Sequence, residues 1–142
     1  MRWFTLVPIA VLAACFPSGP SSCEDDVDCG GDQVCARSRE CLGPTEVRPL
    51  VVTWTFAGQD NAAACAEVDT LGVTFRVPGT VDELGFAPLI CAGGRFSIDK
   101  LPARFAEAEL VTARGDLVTG VGRGPIPNAA GAEVAIVIAP VR

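Results

Sequence analysis

The chain contains no histidine and no tyrosine. These absences remove the commonest general base and the commonest metal ligand together. Ser97 and Asp99 sit close on one candidate strand, yet no imidazole exists to complete a triad with them. No two cysteines are separated by two residues, so no zinc-type pattern is present. Basic residues are few, 11 Lys+Arg against 17 Asp+Glu. Such a balance leaves no patch for a phosphate backbone and excludes nucleic acid as a partner. Long apolar runs are missing too: the apolar opening, Trp3–Ala14, falls short of the roughly 20 residues a spanning helix needs. Neither an enzyme, nor a cofactor, nor a resident metal is expected.

What the chain does have is cysteine, seven in 142 residues. An odd number leaves at least one outside any internal disulfide. Cys15 follows a single positive charge at Arg2 and an uncharged stretch carrying Leu6, Val7, Ile9, Val11 and Leu12. Pro17-Ser18-Gly19-Pro20-Ser21-Ser22 begins just beyond it. That is the shape of a signal peptide rather than an anchor helix. The residues Leu12-Ala13-Ala14-Cys15 resemble the lipobox of bacterial lipoproteins: a branched apolar residue, two small ones, then the cysteine. The resemblance implies cleavage before Cys15, a diacylglyceryl thioether on its sulfur and acylation of the new amino group. More than one acyl chain gives stable anchoring, at about 0.8 kcal/mol per buried methylene. The expected location is the bacterial cell envelope, lipid-anchored, and Phe16 in place of Asp after the cysteine implies sorting to the outer membrane.

Removing residues 1–14 leaves 128 residues, and because only Arg2 is lost the balance becomes 10 basic against 17 acidic, or −7. Six cysteines remain: Cys23, Cys29, Cys35, Cys41, Cys65 and Cys91. In an exported chain an even set reads as disulfides. The run SCEDDVDCGGDQVCARSREC at 22–41 spaces four of them with five residues between neighbours and has almost no apolar content. No hydrophobic core can hold it, so disulfides must. Of the three pairings possible, Cys23–Cys35 with Cys29–Cys41 is favoured, because pairing neighbours leaves two loops that do not brace one another. The pattern resembles the short acidic modules of myxobacterial-type lipoproteins and, more loosely, four-cysteine units of EB or Dickkopf type, which implies architecture and no activity. Glu24, Asp25, Asp26, Asp28 and Asp32 invite a test for calcium. Read from Asp26, an EF-hand loop would put Gly30 at its fifth position and Arg37 at its twelfth, where a bidentate Glu is needed. A solvated acidic loop is the better reading.

Gly43-Pro44-Thr45-Glu46 punctuates the chain and reads as a hinge. The expected organisation is a signal peptide at 1–14, a lipidated linker at 15–22, a four-cysteine module at 23–42, a hinge at 43–48 and a β domain at 49–142. In Leu50–Ala57 apolar residues alternate, with Leu50, Val52, Trp54 and Phe56 on one face. Further strands are predicted over 72–77, 86–92, 95–99, 106–113, 117–121 and 133–139, and one helical turn or two over 61–68, capped by Asp60. Seven short strands without a long amphipathic helix predict an all-β fold, an antiparallel β-sandwich. A Cys65–Cys91 bond would clip its start, contributing roughly 3.5 kcal/mol by loop-closure entropy. Gly94–Asp116, containing Gly94-Arg95-Phe96-Ser97-Ile98 and Leu101-Pro102-Ala103, resembles the strand, Leu-Pro turn and strand of transthyretin-like domains related to the carboxypeptidase regulatory domain. Those domains often carry Gly-Tyr where this chain has Arg104-Phe105. An immunoglobulin-like sandwich fits the same residues.

Three further motifs have plain structural readings. Gly120–Pro125, GVGRGP, lacks the following helix that a phosphate-cradling loop requires and reads as a flexible connection between the last two strands. Arg114-Gly115-Asp116 reads as a hairpin turn rather than an adhesion motif. Trp54 shares a face with Leu50, Val52 and Phe56, so core packing is preferred to a sugar-stacking platform. The function expected is a non-catalytic binding or structural role for the β domain, toward an envelope protein or polysaccharide, at a membrane reached through the lipid on Cys15. The alternatives are a peptidase inhibitor acting through residues 23–41 and a weak glycan-binding module.

Overall fold

Strict alternation decides which side chains go inside. In the computed structural model, which describes residues 22–141, Leu50, Val52 and Trp54 of strand β3 (Val47–Phe56) are buried while their neighbours are not. The same holds for Leu71, Val73 and Phe75 of β4 (Thr70–Arg76) and for Val134, Ile136 and Ile138 of β9 (Ala132–Pro140). The other strands are β1 (Val34–Cys35), β2 (Cys41–Leu42), β5 (Glu83–Phe86), β6 (Arg95–Pro102), β7 (Glu107–Arg114) and β8 (Leu117–Pro125), with one short helix, α1 (Asn61–Cys65). Cys15 and the predicted signal peptide lie outside the described residues.

The chain is mostly β. Strands β3 to β9 form one seven-stranded sheet in the order β5-β4-β7-β8-β9-β3-β6. The sheet is mixed where an antiparallel arrangement was expected: β3 and β9 run parallel, with Leu50 opposite Ala132 and Phe56 opposite Ile138. Parallel partners need a long crossover, and here everything between β3 and β9 supplies it. The sheet curls so far that its two ends meet. Phe86 on the β5 edge lies 5.3 Å, ring centre to ring centre, from Phe96 on the β6 edge, and Phe75 of β4 lies 6.3 Å from Phe96. One core, including Leu101, Phe105 and Leu110, fills the interior.

The sharpest part of the curl falls at β8 and β9. Only Gly120 and Val121 pair with β9, opposite Pro140 and Ala139. Beyond them β9 passes over the inner face of β8, where Gly120, Gly122 and Gly124 replace the side chains a strand would normally send inward. A Cβ on Gly122 would stand 2.6 Å from both the Val137 carbonyl oxygen and Ile136 Cγ2. GVGRGP is therefore not a flexible connection but the body of a strand whose glycines admit its neighbour. The segment predicted as a strand over 86–92 also differs. Strand β5 ends at Phe86, Pro88 has no N–H to extend a ladder, and Cys91–Gly93 form a 3-10 turn.

Among the described residues three disulfides are present: Cys23–Cys35, Cys29–Cys41 and Cys65–Cys91. The last ties α1 to the 91–93 turn, and the Cys91 carbonyl there accepts the Trp54 indole N–H at 3.0 Å. The cysteine module docks on the sheet rather than hanging from it. The Arg37 backbone N–H donates to the Lys100 carbonyl at 3.0 Å on the outer edge of β6. Lys100 Nζ reaches the Asp26 carboxylate at 2.6 Å, and Arg37 holds Asp99 at 2.7 Å. Arg104 bridges Glu40 and Asp82, both at 2.6 Å, while its guanidinium stacks over the Phe105 ring at 4.9 Å. The pair that departs from the transthyretin-like pattern thus joins module to sheet. Where a hinge was expected, Pro44–Glu46 form a 3-10 turn, and β3 starts at once at Val47.

Candidate functional site

Strands β3 and β9, running parallel, finish together at the pole opposite the cysteine module. At about 3.3 Å per residue, the ten residues of β3 carry the chain roughly 30 Å from one pole to the other. The Ala57 N–H donates to the Ile138 carbonyl at 2.9 Å, closing that end. Next the chain turns into α1, whose cap residue Asp60 accepts from the Ala62 N–H at 2.7 Å. The Asn61 side-chain amide donates to the Trp54 carbonyl at 3.1 Å and pins α1 to β3. Across from α1 stands the β7–β8 hairpin. Gly115 adopts φ +56° at its turn, a conformation that favours glycine. Two bonds hold this turn to the segment after α1: Arg114 Nε to the Glu67 carbonyl, and the Gly115 N–H to the Asp69 carboxylate, both at 2.8 Å.

Between these elements lies a cleft of about 230 Å³. Phe56, Val68, Ile138 and Pro140 give it apolar walls. Thr112 and Thr119 stand side by side on β7 and β8 with hydroxyl oxygens 3.0 Å apart, and Thr112 is buried. Exposed Gln59, Glu67 and Arg114 complete the lining. The charges of Glu67 and Arg114 offset one another, so the cleft as a whole is neutral. It offers hydrogen-bond donors and acceptors together with apolar surface. Beside it Leu117, Val118 and Val141 are exposed, and the Val141 N–H donates to the Thr119 carbonyl at 3.0 Å.

The residues singled out from sequence are dispersed. Trp54 is only 3% exposed, so no sugar ring can stack on it. Arg114-Gly115-Asp116 is the β7–β8 turn. Asp26 and Asp28 in the acidic loop are already engaged. The Lys100 ammonium and then the Cys35 amide hold the Asp26 carboxyl below its ordinary pKa, and the amides of Asp25 and Glu24 do the same for Asp28. Ser97 is exposed on β6, two residues from Asp99, whose carboxyl is lowered chiefly by Arg37. The sulfurs of Cys23, Cys29 and Cys41 lie within 4.8 Å of one another. They belong to adjacent disulfides and carry no thiolate to ligate with.

Two features were not read from the sequence. Arg48 is buried without a carboxylate partner among the described residues: its guanidinium donates to the carbonyls of Phe105 at 2.7 Å and Pro127 at 2.8 Å, and desolvation lowers its pKa. Its one signal is that it continues the inward parity of Leu50 and Val52. On the outer face Glu109, nearly buried, joins Arg76 of β4 at 2.9 Å and Arg123 of β8. No family model, curated protein or solved structure matches this chain.

Proposed function

We propose that this chain is a lipid-anchored envelope lipoprotein with a non-catalytic binding role, held at a membrane through Cys15 and presenting the cleft at its far pole. The observation that carries the reading is the set of three disulfides, Cys23–Cys35, Cys29–Cys41 and Cys65–Cys91. Bonds of this kind persist in oxidising compartments outside the cytosol. Leu12-Ala13-Ala14-Cys15 supplies the export and lipidation signal, and only Phe16–Ser22 separate Cys15 from the docked module. The lipid on Cys15 then enters the outer membrane, the module sits as a spacer on the membrane side, and the curled sheet serves as a sandwich-like platform for an envelope protein or polysaccharide. A peptidase-inhibitor role for residues 23–41 is less favoured, because Asp26, Arg37 and Glu40 are committed to the sheet.

Growth with an alkyne-tagged fatty acid, followed by detergent partitioning, tests the anchor. The expected outcome is label on the wild-type chain and none on Cys15→Ser, which should move to the aqueous phase. A Cys15→Ser chain that keeps the label and the detergent phase would sink the proposal.

A further inference from the structure

We infer that the distal cleft is a binding site for one ring of a neutral sugar. The inference rests on the binding role proposed above and names its ligand class. Size is the first argument. At about 230 Å³ the cleft is smaller than the roughly 300–1,000 Å³ of drug-sized sites, which suits a single ring and not a peptide strand.

Polarity is the second. Glu67 and Arg114 both line the cleft, so it carries no net charge to select a simple anion or a simple cation. A polyol needs both side chains. Its hydroxyls donate to Glu67 and the Gln59 carbonyl oxygen, and accept from the Gln59 amide and from the guanidinium nitrogens of Arg114 other than Nε, which is already bonded to the Glu67 carbonyl. Buried Thr112 bonds the Thr119 hydroxyl at 3.0 Å and the Gly120 carbonyl at 3.4 Å, which leaves half-buried Thr119 to present its oxygen to the cleft. An apolar ligand would cover this oxygen together with the polar groups of Gln59, Glu67 and Arg114 without replacing their bonds to water, which is unfavourable. Phe56 supplies the apolar surface that the C–H face of a sugar ring covers. The site has little to reorganise on binding: Arg114 and Asp69 already fix the hairpin against the segment after α1, and Cys65–Cys91 fixes α1 itself.

Saturation-transfer NMR on the full chain in a non-glycosidic detergent tests the inference. The probes are glucose, galactose, mannose and N-acetylglucosamine, each as the free sugar and as the methyl glycoside. Saturable transfer to at least one is expected, with dissociation constants on the order of 1 mM. Gln59→Ala and Thr119→Val should each weaken it about tenfold or more. Among the described residues Gln59 makes no side-chain bond to the fold, whereas Thr119→Val keeps volume but removes the bond to Thr112, so amide spectra are compared with wild type for each variant and Gln59→Ala carries the test if Thr119→Val perturbs them. Binding of the methyl glycoside as well as the free sugar identifies the terminal unit of a polysaccharide; binding of the free sugar alone identifies a free monosaccharide. No saturable transfer to any of the eight probes would overturn the inference. So would binding unaffected by both variants, or preference for hexanoate lost on Arg114→Ala. The anchor stands or falls separately, on the acyl label at Cys15.

Discussion

At residue scale the fold leans on positions where a single atom has nowhere to go. Gly122 is the clearest, because the Cβ of an alanine would meet the Val137 backbone oxygen at 2.6 Å. Backbone cannot swing aside as a flexible side chain does, so Gly122→Ala should destabilise by about 3 kcal/mol, at the upper end of overpacking effects. Gly30, with nothing within 4 Å of a new Cβ, is the control, and Gly30→Ala should stay within about 0.5 kcal/mol. Urea midpoints at constant slope measure both, and equal midpoints for the two variants would refute the glycine corner. Arg48 gives a second expectation at this scale. Replacing it with Met keeps the aliphatic stem but leaves the Phe105 and Pro127 carbonyls without their donors. A loss of about 2–4 kcal/mol is expected. Sequence alone misplaces Arg48, since an arginine in a strand is ordinarily read as exposed.

At element scale the question is what keeps the cysteine module on β6. Asp26, Asp99 and Glu40 all have carboxyls lowered in the folded chain. Lys100 is the main cause for Asp26 and Arg37 for Asp99; at Glu40 burial pushes upward, but bonds from Ser38 and Arg104 outweigh it. A carboxyl lowered on folding stabilises at every pH above its unfolded value, and that contribution disappears as pH falls through the folded value. Docking should therefore be constant from neutral pH down to about pH 5 and loosen below the ordinary carboxylate range, near pH 4. Hydrogen exchange at the Arg37 amide, which bonds the Lys100 carbonyl, reports it directly; protection unchanged at pH 3 would show that the ion pairs do not hold the module. The Cys65–Cys91 clip closes a loop of 26 positions. The double variant Cys65→Ala/Cys91→Ala should lose about 3 kcal/mol in thermal or urea unfolding. The strand positions of β3 and β4 were legible from alternation, and those of β7 and β9 as β-branched runs between turn residues. The limits of β5 and β8 were not, because glycines carry no hydropathy signal and Pro88 ends a ladder whose partner lies elsewhere in the chain.

For the whole molecule, the module covers a sheet edge. Free edges are templates for self-pairing, and the Arg37–Lys100 backbone bond occupies part of the edge of β6. A chain beginning at Gly43 should therefore associate with rising concentration, whereas the longer chain should not. Sedimentation velocity across a concentration series checks this, and a monomeric shorter chain would mean the module protects nothing. The two poles follow from the same arrangement: the module at one end, the cleft at the other. The cleft itself was not legible in the sequence. Its walls come from β3, the segment around α1, β7, β8 and β9, and no local pattern brings Phe56, Thr112, Thr119 and Ile138 together.

The sequence by itself determined that the chain is β-rich and disulfide-bonded, that core residues lie on the alternating faces of β3 and β4, and that it lacks the residues for histidine-based catalysis. These properties depend on residue type and short-range periodicity, which a linear string carries in full. Only the tertiary structure decided the parallel pairing of β3 with β9, the curl that brings Phe86 against Phe96, the docking of the module and the cleft at the far pole. Each arises between segments distant in the chain, where close packing around one core selects which surfaces meet, and that selection leaves no mark on neighbouring residues.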